Sequence, residues 1–166
     1  MDAARFAPSQ HAEALEMLAA MPEFVAGAIA RAPADARQWK PAPGAFSLVE
    51  HACHLRDLER EGYLVRVRRM LAEVLPDLPG FEGATIAQER HYLAQDAHAA
   101  ARDFAMARAE LLSRLHALTA ADLAREGRFD GRRICVADLV AMIAEHDHGH
   151  REEITRLMEA GSGAWR

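Results

Sequence analysis

Between Val136 and Met158 the residues Val136, Leu139, Val140, Ile143, Ile154, Leu157 and Met158 recur at helical spacing and form one apolar stripe. A stripe of that length constrains the chain to a long helix that buries this face against other helices. His146 and His150, four residues apart, fall inside the stripe one turn from each other. His148 falls off it, with Glu145, Glu152 and Arg156 toward the solvent side. Two imidazoles turned toward an apolar interior need partners, and a metal ion is one candidate. With 9 histidines in 166 residues, roughly 0.4 such pairs arise by chance, so the pair alone does not establish a metal site. A hydrogen-bonded core histidine is the ordinary alternative.

The length fits one domain, residues 1–166, with its own core. Hydrophobic residues make up 51% and aromatic residues only 6%, which favours aliphatic helix packing over a β-sandwich; the abundant Ala favours helix too. No segment has the roughly 18 uninterrupted apolar residues of a membrane span. The N-terminal stretch lacks the charged region and apolar run of a secretory signal. Cys53 and Cys135 are too few for a disulfide framework and form no CxxC, so a reducing cytoplasm is the expected compartment. The net charge of −5 argues against nucleic acid as a partner. The one dense basic run, Arg66 to Arg69, reads as a solvated helix face. Lys40 is the only Lys, a bias expected of GC-rich, bacterial coding.

Four long helical patterns follow. The first covers about Ser9 to Arg31, kinked or restarted at Pro22. A loop from Ala32 to Phe46 follows. The second helix opens at the capping box Ser47-Leu-Val-Glu50 and runs to about Val74. Pro76, Pro79, Gly80 and Gly83 make a second loop. Thr85-Ile-Ala-Gln88 reads as another capping box, opening a third helix to about Ala117. Thr119-Ala-Ala-Asp122 starts a short helical piece, and Phe129-Asp-Gly131 reads as a turn. The strand signal is weak everywhere. The fourth helix covers about Val136 to Ala160 and is expected to stop at Gly161-Ser-Gly163. The economical fold is an all-α four-helix bundle with a longer crossover between helices two and three. Such bundles build metal sites from facing helices.

The second helix carries His51 and His54 near its start. One of them beside His146 and His150 would give three nitrogen ligands, which leaves an open position as in catalytic zinc sites. Periodicity does not choose between the two, because this helix is apolar over a wide arc. Glu50, Asp57 and Glu61 lie near the His54 face and could orient a ligand imidazole.

The run from Trp39 through Pro41, Pro43, Gly44, Phe46, Ser47, Glu50 and His54 resembles the signature of the DinB-like superfamily of metal-dependent enzymes. Arg66 to Leu71 followed by Pro76 and Pro79 is similar to the next family segment, and Val136 to Ile154 with His146-x-x-x-His150 to the closing one. The resemblance covers roughly residues 10 to 160. It implies a four-helix bundle with a divalent metal on His54, His146 and His150. His51 and His148 match no family ligand position; they read as structural or solvated, with His51 the fallback ligand. Phe46 stands where many members have Trp. Cys135 stands where a Thr or Ser often caps the last helix, an expected loss of about 1 kcal/mol.

Imidazole ligands suit zinc first and nickel next. A metal with open positions can activate water for hydrolysis, or take a thiolate. Relatives in the resembled superfamily include transferases and isomerases that use a low-molecular-weight thiol, so both classes stay open. No general base stands out; Asp57 and Asp147 are the candidate carboxylates. His146-Asp147 lacks the HExxH order. Cys53 and Cys135 read as small buried hydrophobes. A small-molecule substrate is expected, with no membrane partner and a possible homodimer. The alternative from another class is a non-catalytic stress-response bundle that binds a metal, a small molecule or a protein.

Overall fold

Ser47 opens the second helix as its side chain dictates. Its Oγ accepts the Glu50 amide at 3.3 Å, and the Glu50 carboxylate accepts the Ser47 amide at 2.8 Å. In the computed structural model, which describes residues 8–164, this box starts α2 (Leu48–Asp57). The N-terminal leader reading and Trp165–Arg166 lie outside those residues. Helix α1 (Pro8–Arg31) precedes it, and Pro22 lies within this helix rather than at a new first turn. A π-turn, Leu58–Tyr63, joins α2 without a break to α3 (Leu64–Ala72).

The crossover holds the first departure from expectation. Thr85 caps nothing: α4 (Gly83–Glu89) has begun two residues earlier and has no side-chain cap. The expected third helix is then interrupted by His91, at φ 51°, and by a 3-10 turn, Tyr92–Ala94. Asp96 caps the true long helix, α5 (Ala97–His116), by accepting the Ala99 amide at 2.7 Å. Tertiary bonding explains the interruption. It drops Tyr92 into the core, where its hydroxyl donates to Asp57 at 2.7 Å, and it lets Arg90 reach both Asp57 and Glu61.

After α5, Thr119 and Asp122 form the expected reciprocal cap of α6 (Ala120–Leu123). The next segment adds a short hairpin to the helical fold, where the strand signal of the sequence is weak. β1 (Glu126–Phe129) and β2 (Arg132–Cys135) pair antiparallel around Asp130-Gly131. Both turn residues have positive φ, 48° and 72°, the two-residue turn that matches hairpin twist. The crossover is fastened to this hairpin, because the Leu78 amide donates to the Arg128 carbonyl and the Arg128 amide to that of Pro76.

The last helix, α7 (Val136–Ala164), passes through Gly161 instead of stopping there. Gly161 is buried, and packing offsets glycine's cost of about 1 kcal/mol in a helix. Its start is better capped than expected. Cys135 Sγ accepts the Asp138 amide at 3.4 Å while the Asp138 carboxylate accepts the Cys135 amide at 2.9 Å. Sulfur is a weaker acceptor than oxygen, so the cap is softened rather than lost.

The four bundle elements are α1, the α2–α3 rod, α5 and α7. Helix α1 packs on α5 and α7, and α2 packs on α5. The apolar core falls into two clusters, one around Met21, Leu48, Tyr92 and Phe104, the other around Leu18, Met70, Leu111 and Leu139. Between them runs a polar layer. Arg108 of α5, 1% exposed, donates to Glu59 of the π-turn at 2.6 and 3.0 Å, to Asp147 of α7 at 2.5 and 3.2 Å, and to the Leu18 carbonyl of α1 at 2.9 Å. One guanidinium thus ties all four bundle elements together. Burial pushes the Glu59 and Asp147 carboxyls up despite Arg108; it works against the Arg108 charge too, but the two carboxylates outweigh it and hold that charge firmly. Among the described residues no helix is long and apolar enough to cross a membrane.

Candidate metal centre

The Ser47–Glu50 box fixes where α2 begins, and Lys40 adds a bond to the other Glu50 oxygen at 2.9 Å. His51 and His54 are thereby set in the first two turns, facing α7. The structure brings His54, His146 and His150 together: His54 Nε2 lies 3.3 Å from His146 Nε2, and His150 Nε2 lies 3.1 Å from His146 Nε2. One nitrogen of each falls within 4.8 Å of those of the other two.

Those separations discriminate between two accounts. A neutral ring nitrogen carries either one hydrogen or one lone pair, so His146 Nε2 cannot make a good hydrogen bond along both edges. Zn–N bonds of about 2.0–2.1 Å at tetrahedral angles put ligand nitrogens about 3.3–3.4 Å apart. The His54–His146 edge matches that spacing, and the His150–His146 edge is about 0.2 Å shorter. The protonation state agrees with the donor role. Burial, helped by the neighbouring imidazoles, pushes His54 down to about 3 and His146 to about 2. Burial also lowers His150, against the pull of Asp147. Three neutral imidazoles with converging lone pairs form a donor set that fits a divalent cation. Phe46 and Phe81 pack on His54 at ring separations of 5.4 and 5.7 Å, and Tyr63 on His146 at 5.9 Å.

His51 is buried and stands outside the His54–His146–His150 group, though it also comes together with His150 and Glu153 as a second set of possible ligands. Its Nδ1 lies 2.9 Å from His150 Nδ1, and Glu153 approaches the same His150 atom at 3.3 Å. At 2.9 Å the imidazole pair is spaced as an N–H···N hydrogen bond, shorter than two ligands on one metal. His51 therefore orients His150 from behind, a role the spacing did not reveal. The proximity signal was present, since His51 lies one turn before His54. His148 is exposed beside Glu152, as its place off the stripe predicts.

The carboxylates expected to orient His54 do not reach it. Glu50 serves Ser47 and Lys40, Glu61 serves Arg90, and Asp57 binds Arg56, Arg90 and Tyr92. The Nδ1 atoms of His54 and His146 are buried and meet no hydrogen-bond partner. Asp147 is held by Arg108. Both carboxylates considered as bases are thus committed to arginines. Gly83 is the residue sequence could not flag: a Cβ there would lie 2.6 Å from His54 Cε1, so only glycine lets the crossover lie flat on that ring. Cys53 is buried, donates to Gln95 at 3.4 Å and is pushed up to about 11 by burial, in keeping with an inert core thiol.

The sequence profile of the DinB superfamily matches residues 17–154. The chain belongs to the DinB superfamily. A solved DinB-like structure has the same fold: YfiT from Bacillus subtilis, described as a probable metal-dependent hydrolase with an unusual four-helix bundle topology, superposes with a TM-score of 0.88. The two share 16% identity over 96% of this chain and 91% of the other. No curated protein matches in sequence. Membership of the DinB superfamily fits the bundle and its long crossover.

Proposed function

We propose that this chain is a metal-dependent hydrolase that holds one divalent ion, zinc first and nickel next, on His54, His146 and His150. The observation that carries the reading is the convergence of three neutral imidazole nitrogens at 3.1–3.3 Å about His146. A metal bound there supplies Lewis acidity that brings the pKa of a water toward neutrality. The chain supplies the rest. Phe46 and Phe81 pack on the His54 ring and Tyr63 on that of His146, and His51 holds the His150 ring in one orientation.

One observation favours a second reading of the same site. Asp57 and Asp147 are both occupied by arginines, so neither stands free as a general base. A low-molecular-weight thiol arriving as a co-substrate thiolate needs no such base, which keeps thiol-dependent transfer or isomerisation as the alternative chemistry.

Metal analysis of protein purified without a polyhistidine tag tests the site. About one equivalent of zinc or nickel is expected, lost to a similar extent in His54→Ala and His146→Ala. Less than about a tenth of an equivalent, with no uptake when either metal is supplied, overturns it. Assaying the loaded protein on esters and amides, with and without cellular thiols, separates the two chemistries.

A further inference from the structure

The basic run Arg66 to Arg69, expected as a solvated helix face, is solvated only in part. Arg68 is exposed and Arg69 pairs with Glu73, but Arg66 is 4% exposed. Its environment differs from that of Arg108, the other deeply buried arginine. Arg108 is neutralised by two carboxylates. Arg66 makes no salt bridge among the described residues; the Asp130 carboxylate of the hairpin turn bears on its charge only from further off. Its Nε donates to the Pro79 carbonyl at 3.0 Å, and its guanidinium lies 4.3 Å from the Phe129 ring centre and 5.5 Å from that of Tyr63. Aromatic faces stabilise a cation, but less than a counter-ion does. The two Nη groups meet no described acceptor and are not sealed from solvent.

The π-turn decides which way this residue faces. Twelve residues of plain α-helix would set Arg66 about 120° round the rod from His54; one extra residue taken up in the π-turn reduces that to about 20°. Arg66 therefore returns to the histidine face. Tyr63 bridges the gap, its ring centre 5.5 Å from the Arg66 guanidinium and 5.9 Å from the His146 ring centre. The Arg66 charge is also among those that bear on His146. The crossover closes the same strip, with Pro79 on Arg66, Phe81 on His54 and Gly83 against the His54 ring.

We infer that Arg66 is the anchor for an oxyanion, carboxylate or phosphoryl, carried by the substrate of the histidine site. The inference rests on the proposed metal site for the reacting end of that substrate. The forked Nη pair fits two oxygens of one such group, and burial strengthens the attraction by excluding competing water. The substrate class is then an anionic small molecule with its charged group set back from the bond that reacts.

The test follows the Arg66 Nε–H signal by NMR, assigned by its loss in Arg66→Lys. Acetate and methylphosphonate are titrated against chloride of matched ionic strength, into both metal-free and zinc-treated protein. A saturable shift with either anion is expected; which anion produces it names the group. Read by calorimetry, since neither variant carries that signal, binding should weaken about tenfold in Arg66→Lys, which keeps the charge and loses the fork, and vanish in Arg66→Met. No saturable shift in folded wild-type protein, or unchanged affinity in Arg66→Lys, overturns the inference whether or not Arg66→Met folds. Zinc content of the same samples judges the metal reading separately. Protein that takes up zinc but shows no Arg66 response sinks this inference alone; protein that responds at Arg66 without taking up zinc sinks the metal site alone.

Discussion

His51 Nδ1 stands 2.9 Å from His150 Nδ1, so the ring that offers Nε2 to the triad is held by a second imidazole from another helix. Partners of this kind are worth roughly 10–100-fold in metal affinity. His51→Ala should weaken zinc binding by that order without removing the site, and His51→Gln should restore part of the loss. His148→Ala should change nothing. Competition against a chromophoric chelator measures all three. Equal affinities for wild type and His51→Ala would sink the orienting role.

Gly83→Ala separates the site from the fold. The new methyl would strike the His54 ring at 2.6–2.8 Å. In metal-free protein the ring can swing aside, and alanine's helix propensity is worth up to about 1 kcal/mol over glycine. The variant should therefore melt at or above the wild-type temperature without metal, yet gain much less on adding zinc. A zinc-induced shift in Tm equal to wild type would show that His54 does not depend on this close approach.

Arg108→Met leaves Glu59 and Asp147 buried without their cation. Breaking a buried pair in this way costs about 3–5 kcal/mol, a large share of a small domain's stability. The urea midpoint should fall accordingly, and the triple variant with Glu59→Gln and Asp147→Asn should recover much of the loss. A loss below about 1 kcal/mol would mean that the layer is not a structural tie.

Asp57 supplies an acid-range signature. Burial raises its carboxyl, but hydrogen bonds from Arg56, Tyr92 and Arg90 outweigh that and hold it below the ordinary 3.8. A carboxylate depressed in the fold adds stability that is fully present above its unfolded pKa and is lost as pH falls through its folded one. Metal-free wild type should lose stability from about pH 4 downward more steeply than Asp57→Asn does. Parallel curves in urea melts across that range would refute the assignment.

Local chemistry made much of this molecule legible. The Ser47–Glu50 and Thr119–Asp122 boxes, the α7 stripe and the turn at Asp130-Gly131 rest on contacts within a few residues, and each stands where its sequence places it. The His146–His150 pair is visible for the same reason, and family resemblance supplied His54. What stayed hidden depends on distant partners. The break before α5 follows from Tyr92 and Arg90 reaching Asp57, about 35 residues away in the chain. The commitment of Asp147 needs an arginine from α5, and the burial of Arg66 needs Phe129 from a hairpin whose strands are four residues each. The wide apolar arc of helix two, which left His51 and His54 unresolved, comes from one rod carrying two helical phases.

That change of phase makes Leu58–Tyr63 a frameshift written in three dimensions. Straightening that turn into plain α-helix, with no change of sequence, would leave every residue and every cap intact. A comparison that counts only matched letters would score the straightened chain as identical. Yet everything downstream on the rod would turn by about a quarter of a revolution or more against His54, carrying Tyr63 and Arg66 off the histidine face. Whoever transplants this centre into another bundle must copy the miscount along with the ligands.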